Sequence, residues 1–154
     1  MRHFIVHTRR AGRLVTRPLN CGVRRLLNVI DTGGHAWLPS KTHLAERLAS
    51  QRIGSFGAFF LWSQTDYPRL AVHFNGGLAY VHYFPHPGHA GYAAIGGTSE
   101  QCPATVEFIQ PPEPSADNFA MPRELIVSAE TAHAIAYDFF ADSARSTVVE
   151  WLEL

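Results

Sequence analysis

The chain has 154 residues, of which 13 are basic and 13 acidic, so its formal net charge is zero. The two ends differ, because residues 1–56 carry ten basic and two acidic residues (+8) whereas residues 57–154 carry three basic and eleven acidic residues (−8). A content of 46% apolar residues excludes a wholly disordered chain, no apolar run approaches the ~20 residues of a membrane span, and two cysteines are too few for a disulfide framework.

We therefore expect one folded domain in the reducing cytoplasm, without a membrane partner. Most of its positive charge lies at the N-terminus, where residues 1–30 contain seven arginines and no acidic residue. We assign residues 1–33 to a basic N-terminal extension at the periphery and residues 34–154 to the folded domain. Two alternatives stay open: a first strand and helix, at Phe4–Val6 and Val23–Ile30, and a functional basic arm with salt-sensitive phosphate contacts.

The first regular element of the predicted domain is a short helix. Ser40 supplies an N-cap, and Leu44 and Leu48 lie four residues apart on one helical face, which predicts a helix over 41–51. The segment Phe59–Trp62 is short, aromatic and bounded by turn residues, so we predict a buried strand there.

The clearest local pattern is an antiparallel hairpin of Arg69–Phe74 and Gly77–Phe84. The intervening Asn75-Gly76 provides the two positive φ angles of a type I′ turn, which places Leu70 opposite Val81. Alternation along both strands then gives one apolar face and a second, more polar face. We therefore predict a sheet that is covered on one face only.

The rest of the chain adds strands and a second helix. Ser128 is a credible N-cap, and apolar residues recur at helical spacing behind it, which predicts a helix over 129–141. Further strands are predicted at Gly91–Ile95, Ala104–Ile109, Leu125–Val127 and Thr147–Leu152, with a proline-rich surface loop at 111–114. The predicted fold class is α+β: a single antiparallel sheet of about five or six strands with covering helices.

Four histidines lie in or directly after the predicted hairpin: His73, His82, His86 and His89. Imidazoles are common ligands of zinc, copper and iron, so a small metal-dependent, cupin-like enzyme is one interpretation. A cupin motif requires a glutamate within a few residues of its histidines, whereas the nearest one here is Glu100. We favour strand and turn histidines, and we predict neither a metal nor another cofactor.

Motifs of catalysis are absent from the sequence. The chain has no Gly-x-Ser-x-Gly elbow, no phosphate loop with Gly-Lys-Ser/Thr, no His-Glu-x-x-His and no zinc-deaminase signature. We therefore predict that the protein is not an enzyme, and we assign no catalytic residue.

A cluster of aromatic residues, Tyr80, Tyr83, Phe84 and Tyr92, is compatible with a stacking platform for single-stranded nucleic acid. Such a platform needs a basic groove, but the half of the chain that carries these residues has a net charge of −8. We favour core packing and a patch that faces a protein, and we expect no direct contact with nucleic acid. An acidic surface without a catalytic motif favours the binding of a basic partner.

Several segments in a fixed order carry a resemblance to a known family. They are Tyr67–Phe84, the glycine-rich Gly88–Gly97, the alternating strand that ends at Ile109, the proline-rich loop, and the closing helix with Phe139–Asp142 before Glu150-Trp151. From about residue 40 to its end, the chain resembles the first-numbered Imm family of bacterial immunity proteins. These proteins accompany polymorphic toxins, often nucleic-acid deaminases.

The resemblance implies a protein that binds its cognate toxin, a nucleic-acid deaminase, in a 1:1 complex and blocks its active site. A toxin that acts on nucleic acid presents a basic cleft, which an acidic surface can occupy. The candidate toxin-binding residues are therefore Glu100, Glu107, Glu113 and Asp117, on exposed loops and outward strand positions, with Tyr92 as an anchor. Two alternatives stay open: that these acids only keep the surface soluble, and that the chain is a generic protein-interaction module.

Overall fold

Alternating and aromatic segments of the chain form strands, and the two segments with apolar residues four apart form helices. A computed structural model describes residues 26–31, 33–50, 56–97, 102–109 and 118–154. The strands are β1 (Leu27–Asp31), β2 (Gly34–Leu38), β3 (Phe56–Trp62), β4 (Arg69–Asn75), β5 (Leu78–Phe84), β6 (Tyr92–Ile95), β7 (Thr105–Phe108), β8 (Phe119–Pro122), β9 (Ile126–Ser128) and β10 (Glu150–Glu153). The helices are α1 (Lys41–Ala49) and α2 (Ala129–Asp142), and one 3-10 turn, Arg123–Leu125, precedes β9.

Eight of these strands form one antiparallel sheet. The strand order is β10-β6-β5-β4-β3-β1-β2, and β9 pairs with the first residues of β5. The predicted α+β class is confirmed, but the predicted number of five or six strands is too low. The prediction lacks β1 and β2, because buried Asn28 and Asp31 interrupt the apolar pattern of β1 and because β2 is an edge strand with exposed Trp37.

Helices α1 and α2 pack on the first face of this sheet. Leu44, Leu48 and Phe139 are buried there in the core that contains the apolar residues of β3, β4 and β5. The side chains of Ser40 and Ser128 cap the two helices by accepting hydrogen bonds from backbone N–H groups at 3.3 and 3.0 Å. Both predicted helices are confirmed. Within the part of the chain that is described, no helix is long and apolar enough to cross a bilayer.

A separate two-stranded sheet, β7 with β8, packs over part of the second face. Its Val106, Phe108 and Phe119 join a second core that includes Tyr80 of the main sheet. The strand predicted at Ala104–Ile109 is therefore present, but the predictions of a single sheet and of one covered face are wrong. Alternation marks one side of β7 as buried, but it does not identify the surface that covers it.

The β4–β5 hairpin has a different turn from the predicted one. Asn75 pairs with Leu78, so the two loop residues are Gly76 and Gly77. Gly76 has a φ of 60° and Gly77 has no positive φ, as in a type II′ turn, whereas type I′ needs positive φ at both central positions. The resulting register differs from the predicted one by two residues, and the predicted division of side chains between the two faces is unchanged.

The folded domain begins before residue 34. Strand β1 pairs with β2 on one side and with β3 on the other, so a boundary after residue 33 divides the β1–β2 hairpin. The predicted basic extension is thus shortened by the residues of β1. Residues 1–25, which hold its seven arginines, lie outside the described residues.

An ion pair connects this hairpin to α1. The Arg47 guanidinium donates through Nε and Nη2 to the two carboxylate oxygens of Asp31, at 2.5 and 2.6 Å. Oδ1 of Asp31 also accepts from the Gly33 backbone N–H at 2.7 Å. The hydrogen bond to Asp31 raises the pKa of Arg47. Two hydrogen bonds to one carboxylate hold the pair in a fixed geometry, and they position α1 against the end of β1.

Replacing Arg47 with alanine removes the partner of a carboxylate that is only 6% exposed. We expect the free energy of unfolding to fall by about 2 kcal/mol, measured by urea denaturation followed by circular dichroism. The matched control is Glu46→Ala, an exposed neighbour on the same helix, which should change stability by no more than about 0.5 kcal/mol. Equal effects of the two substitutions would show that the ion pair does not hold β1 in place.

Candidate functional site

The second face of the main sheet is crossed by rows of side chains that the strand register sets next to one another. One row contains Ala58, His73, Tyr80 and Ile126, from β3, β4, β5 and β9. Tyr80 and Ile126 belong to the core beneath the small sheet, and the His73 ring lies 5.0 Å from that of Phe119. We refer to these four residues as the covered row.

Two further rows lie on the same face, and we refer to them as the open rows because most of their larger side chains reach solvent. The first contains Trp37, Asn28, Trp62, Arg69 and Phe84. The second contains His35, Ile30, Phe60, Ala71, His82, Ala93 and Leu152, and it crosses the sheet from β2 at one edge to β10 at the other.

The open rows are rich in aromatic side chains and carry almost no charge. Trp37 is 53% exposed and Leu152 is 46% exposed, although both are large and apolar. Arg69 is the only Lys, Arg, Asp or Glu in the two rows, and its guanidinium lies 5.7 Å from the centroid of the Trp62 ring. Large apolar side chains that stay exposed on one face of a sheet are typical of a binding site, and aromatic side chains with little charge are typical of the centre of protein interfaces.

A cavity of about 390 Å³ lies where the open rows meet the small sheet. Its volume is within the range of ~300–1,000 Å³ that is typical of ligand pockets. The apolar wall includes Phe60, Phe84, Phe119 and Met121, and the polar groups come from His73, Tyr80 and His82. None of the side chains that line the cavity carries a full charge at neutral pH.

His73 is a buried imidazole with one defined hydrogen bond. Its Nδ1 lies 3.1 Å from the carbonyl oxygen of Ile109. A carbonyl can only accept, so Nδ1 carries the proton, and Nε2 of the neutral ring has a free lone pair. Burial lowers the pKa of His73 to about 4, and the nearby His82 contributes in the same direction. At neutral pH this ring is therefore an uncharged hydrogen-bond acceptor in an aromatic environment.

Tyr80 and His82 complete the polar groups of the cavity. Burial raises the pKa of Tyr80 to about 12 and lowers that of His82. Nε2 of His82 donates to the carbonyl oxygen of Ala90 at 2.8 Å, which leaves its Nδ1 as an acceptor. Gly91 makes this approach possible, since a Cβ at its φ of 101° would lie 2.3 Å from Nε2 of His82.

Two larger cavities lie near β10, but several of the polar side chains that line them are already engaged. In the cavity of about 740 Å³, the Arg145 guanidinium lies 3.9 Å from the Tyr92 ring centroid, and Trp151 donates to the Ser146 carbonyl at 2.9 Å. In the cavity of about 550 Å³, the Ser128 hydroxyl caps α2. The cavity beside the open rows is the better candidate, because its imidazoles keep unused acceptors.

The four histidines of the metal hypothesis do not converge. His73 and His82 lie on the second face, whereas His89 stacks on Tyr92 at 5.1 Å, and the His86 ring packs edge-on against His89. Across the residues that the structure describes, no three His, Cys, Asp or Glu side chains are grouped to hold a metal ion. The geometry therefore offers no support for the cupin-like interpretation.

The candidate toxin-binding residues are not brought together in the described part of the chain. Tyr92 pairs with Tyr83 on the first face and contacts Arg145, whereas Glu107 is exposed on the outer side of the small sheet. The predictions for Glu100, Glu113 and Asp117 lie outside the described residues.

The predicted aromatic cluster is also divided between the faces. Tyr80 and Phe84 lie on the second face, and Tyr83 and Tyr92 lie on the first. Sequence reasoning missed Trp37, because it lies on an unpredicted edge strand. The only available signal was a short apolar segment, Ala36–Leu38, between the turn residues Gly33-Gly34 and Pro39.

Comparison with known proteins gives no match, either to a protein-family model or to a curated protein. The resemblance to immunity proteins therefore rests only on the segments described above.

The buried His73 makes stability depend on pH. Its pKa is about 4 in the folded protein and 6.5 in the absence of burial, so the folded state disfavours protonation. The stability that this group contributes is complete above pH 6.5 and is lost as the pH falls towards 4. We expect wild-type protein to lose about 3 kcal/mol more than His73→Phe over this interval, measured by urea denaturation at successive pH values. Parallel curves for the two proteins would show that His73 is not kept neutral by burial.

Proposed function

We propose that this protein is a bacterial immunity protein that binds a cognate toxin through the open rows and neutralises it. The observation that supports the proposal is a surface rich in aromatic side chains across seven strands, with an exposed Trp37 at one edge of the sheet and an exposed Leu152 at the other. A solvent-facing surface of this composition is a disadvantage for a protein that acts alone, since it promotes association. The composition of the open rows is therefore best explained by association with a specific partner.

The rows also provide the kind of side chain that supplies binding energy. A stable interface buries about 800 Å² on each partner, and a few tryptophan, tyrosine and arginine residues carry most of the affinity. Trp37, Trp62 and Arg69 lie in one open row on strands that the sheet holds rigid. Because these strands are ordered before binding, little backbone entropy is lost on association.

The charge of the domain supports a basic partner. The described residues include ten acidic and five basic side chains, and only Arg69 of these lies in the open rows. An apolar surface on a domain whose described residues are net negative attracts a positively charged cleft over a distance and then excludes water from the contact. Glu107 is an exposed carboxylate of this domain, on the small sheet that packs over part of the same face.

In this proposal inhibition is steric. The immunity protein occupies the active site of the toxin, a nucleic-acid deaminase in the family that the chain resembles, and the substrate cannot enter. The protein acts as a 1:1 binding partner in the cytoplasm, where the substrate of such a toxin lies, and it has no catalytic step of its own.

The test requires the toxin domain encoded beside the gene for this protein. Co-purified toxin domain and full chain should form a 1:1 complex, measured by size-exclusion chromatography with light scattering. Trp37→Ser should weaken binding at least about tenfold in calorimetric titration, because it removes an anchor of the open rows. The matched control is Val148→Ser, since Val148 is 54% exposed and lies outside these rows. A complex that is equally sensitive to both substitutions would place the interface elsewhere, and the absence of a complex would refute the proposed function.

The negative charge of the domain should act mainly on the rate of association. We expect the association rate constant to fall as salt is raised, and Glu107→Lys to reduce both this rate and its salt dependence, measured by stopped-flow fluorescence. Glu46→Lys serves as the matched control, because Glu46 is also exposed but lies on α1, on the opposite face of the sheet. Equal effects of the two charge reversals would mean that only the net charge steers the partner.

A further inference from the structure

The cavity beside the open rows contains hydrogen-bonding groups that the protein itself leaves unused. In the described part of the chain, every side-chain nitrogen or oxygen that is shut off from solvent has a hydrogen-bond partner. No described residue bonds Nε2 of His73, and the His73 side chain is only 5% exposed. This nitrogen is therefore reached through the cavity that His73 lines. Nδ1 of His82 is a second unused acceptor.

The walls around these acceptors are aromatic on several sides. The His73 ring lies edge-on to Phe60 and to Phe119, at 5.6 and 5.0 Å between centroids. Tyr80 contacts Phe119 at 5.9 Å, and His82 packs against Phe84 at 3.9 Å. A flat aromatic group can fill such a space with favourable edge-to-face and offset contacts.

We infer that, in the complex proposed above, this cavity receives the indole ring of a tryptophan side chain from the toxin, with its N–H donating to Nε2 of His73. The inference rests on the proposed function, and it names the chemistry of the partner at one point of the interface.

Other side chains fit less well. A negatively charged group would be buried without an opposite charge, because no side chain that lines the cavity is cationic at neutral pH. An aliphatic group would remove Nε2 of His73 from water and leave it unpaired, because it has no hydrogen-bond donor. Indole is a donor only, has a large aromatic surface, and is among the commonest anchors of protein interfaces.

The test uses the isolated, isotopically labelled full chain and needs no toxin. Free indole, added as the probe, should shift the ring resonances of His73, Tyr80 and His82 in nuclear magnetic resonance spectra. The matched ligand 1-methylindole has the same ring without the N–H, and we expect it to bind about tenfold more weakly. The His73→Phe variant should lose this preference, whereas Tyr80→Phe should retain it, because the acceptor Nε2 remains.

Each result separates the inference from its alternatives. Equal affinity of wild-type protein for indole and 1-methylindole would overturn the proposed hydrogen bond, even if neither variant folds. Tighter binding of 4-methylphenol than of indole would overturn the choice of tryptophan in favour of tyrosine. Indole should also compete with the toxin domain for the protein, and a 1:1 complex that indole does not weaken would place the toxin outside the cavity. In that last case the proposed function stands and the inference fails.

Discussion

Strict alternation of side chains along β4 and β5 is the constraint on which the rest of the structure depends. Val72 and Val81 face the helices, whereas the adjacent His73 and Tyr80 face the opposite way. A slip of one residue would exchange the two faces and bury the imidazole under α2. The tight turn at Gly76 prevents this slip, so one hairpin determines both where the helices pack and where the polar groups of the cavity lie.

The second face combines two features that are energetically unfavourable when no partner is bound. It exposes aromatic side chains such as Trp37, and it keeps the acceptor of His73 in a mostly apolar cavity. A partner surface that is apolar and has a hydrogen-bond donor removes both unfavourable terms. The aromatic groups are then buried away from water, and the acceptor of His73 is paired. The stability of the fold is supplied elsewhere, by the core on the first face and by the Arg47–Asp31 ion pair.

Local patterns predicted the parts of the fold that local contacts stabilise. The sequence predicted the helix caps Ser40 and Ser128, each of which bonds to a residue three positions further along the chain. It also predicted which residues of the hairpin lie on each face of the sheet. Strand β1 was not, because its buried Asn28 finds its partners at Ser63 and His35. A short segment that contains a polar residue is predicted to be a loop unless the groups that hydrogen-bond to that residue are known.

The sequence by itself determined the α+β class, both helices and the face on which each residue of the hairpin lies, because these follow from periodicities of 3.6 and 2 residues within continuous segments. Only the tertiary structure decided which part of the second face is covered. Pairing of β7 with β8 over Tyr80 closes one row, and the neighbouring rows with Trp37 and Trp62 stay open. Coverage depends on contacts between segments that are far apart in the chain, and periodicity within one segment carries no information about them.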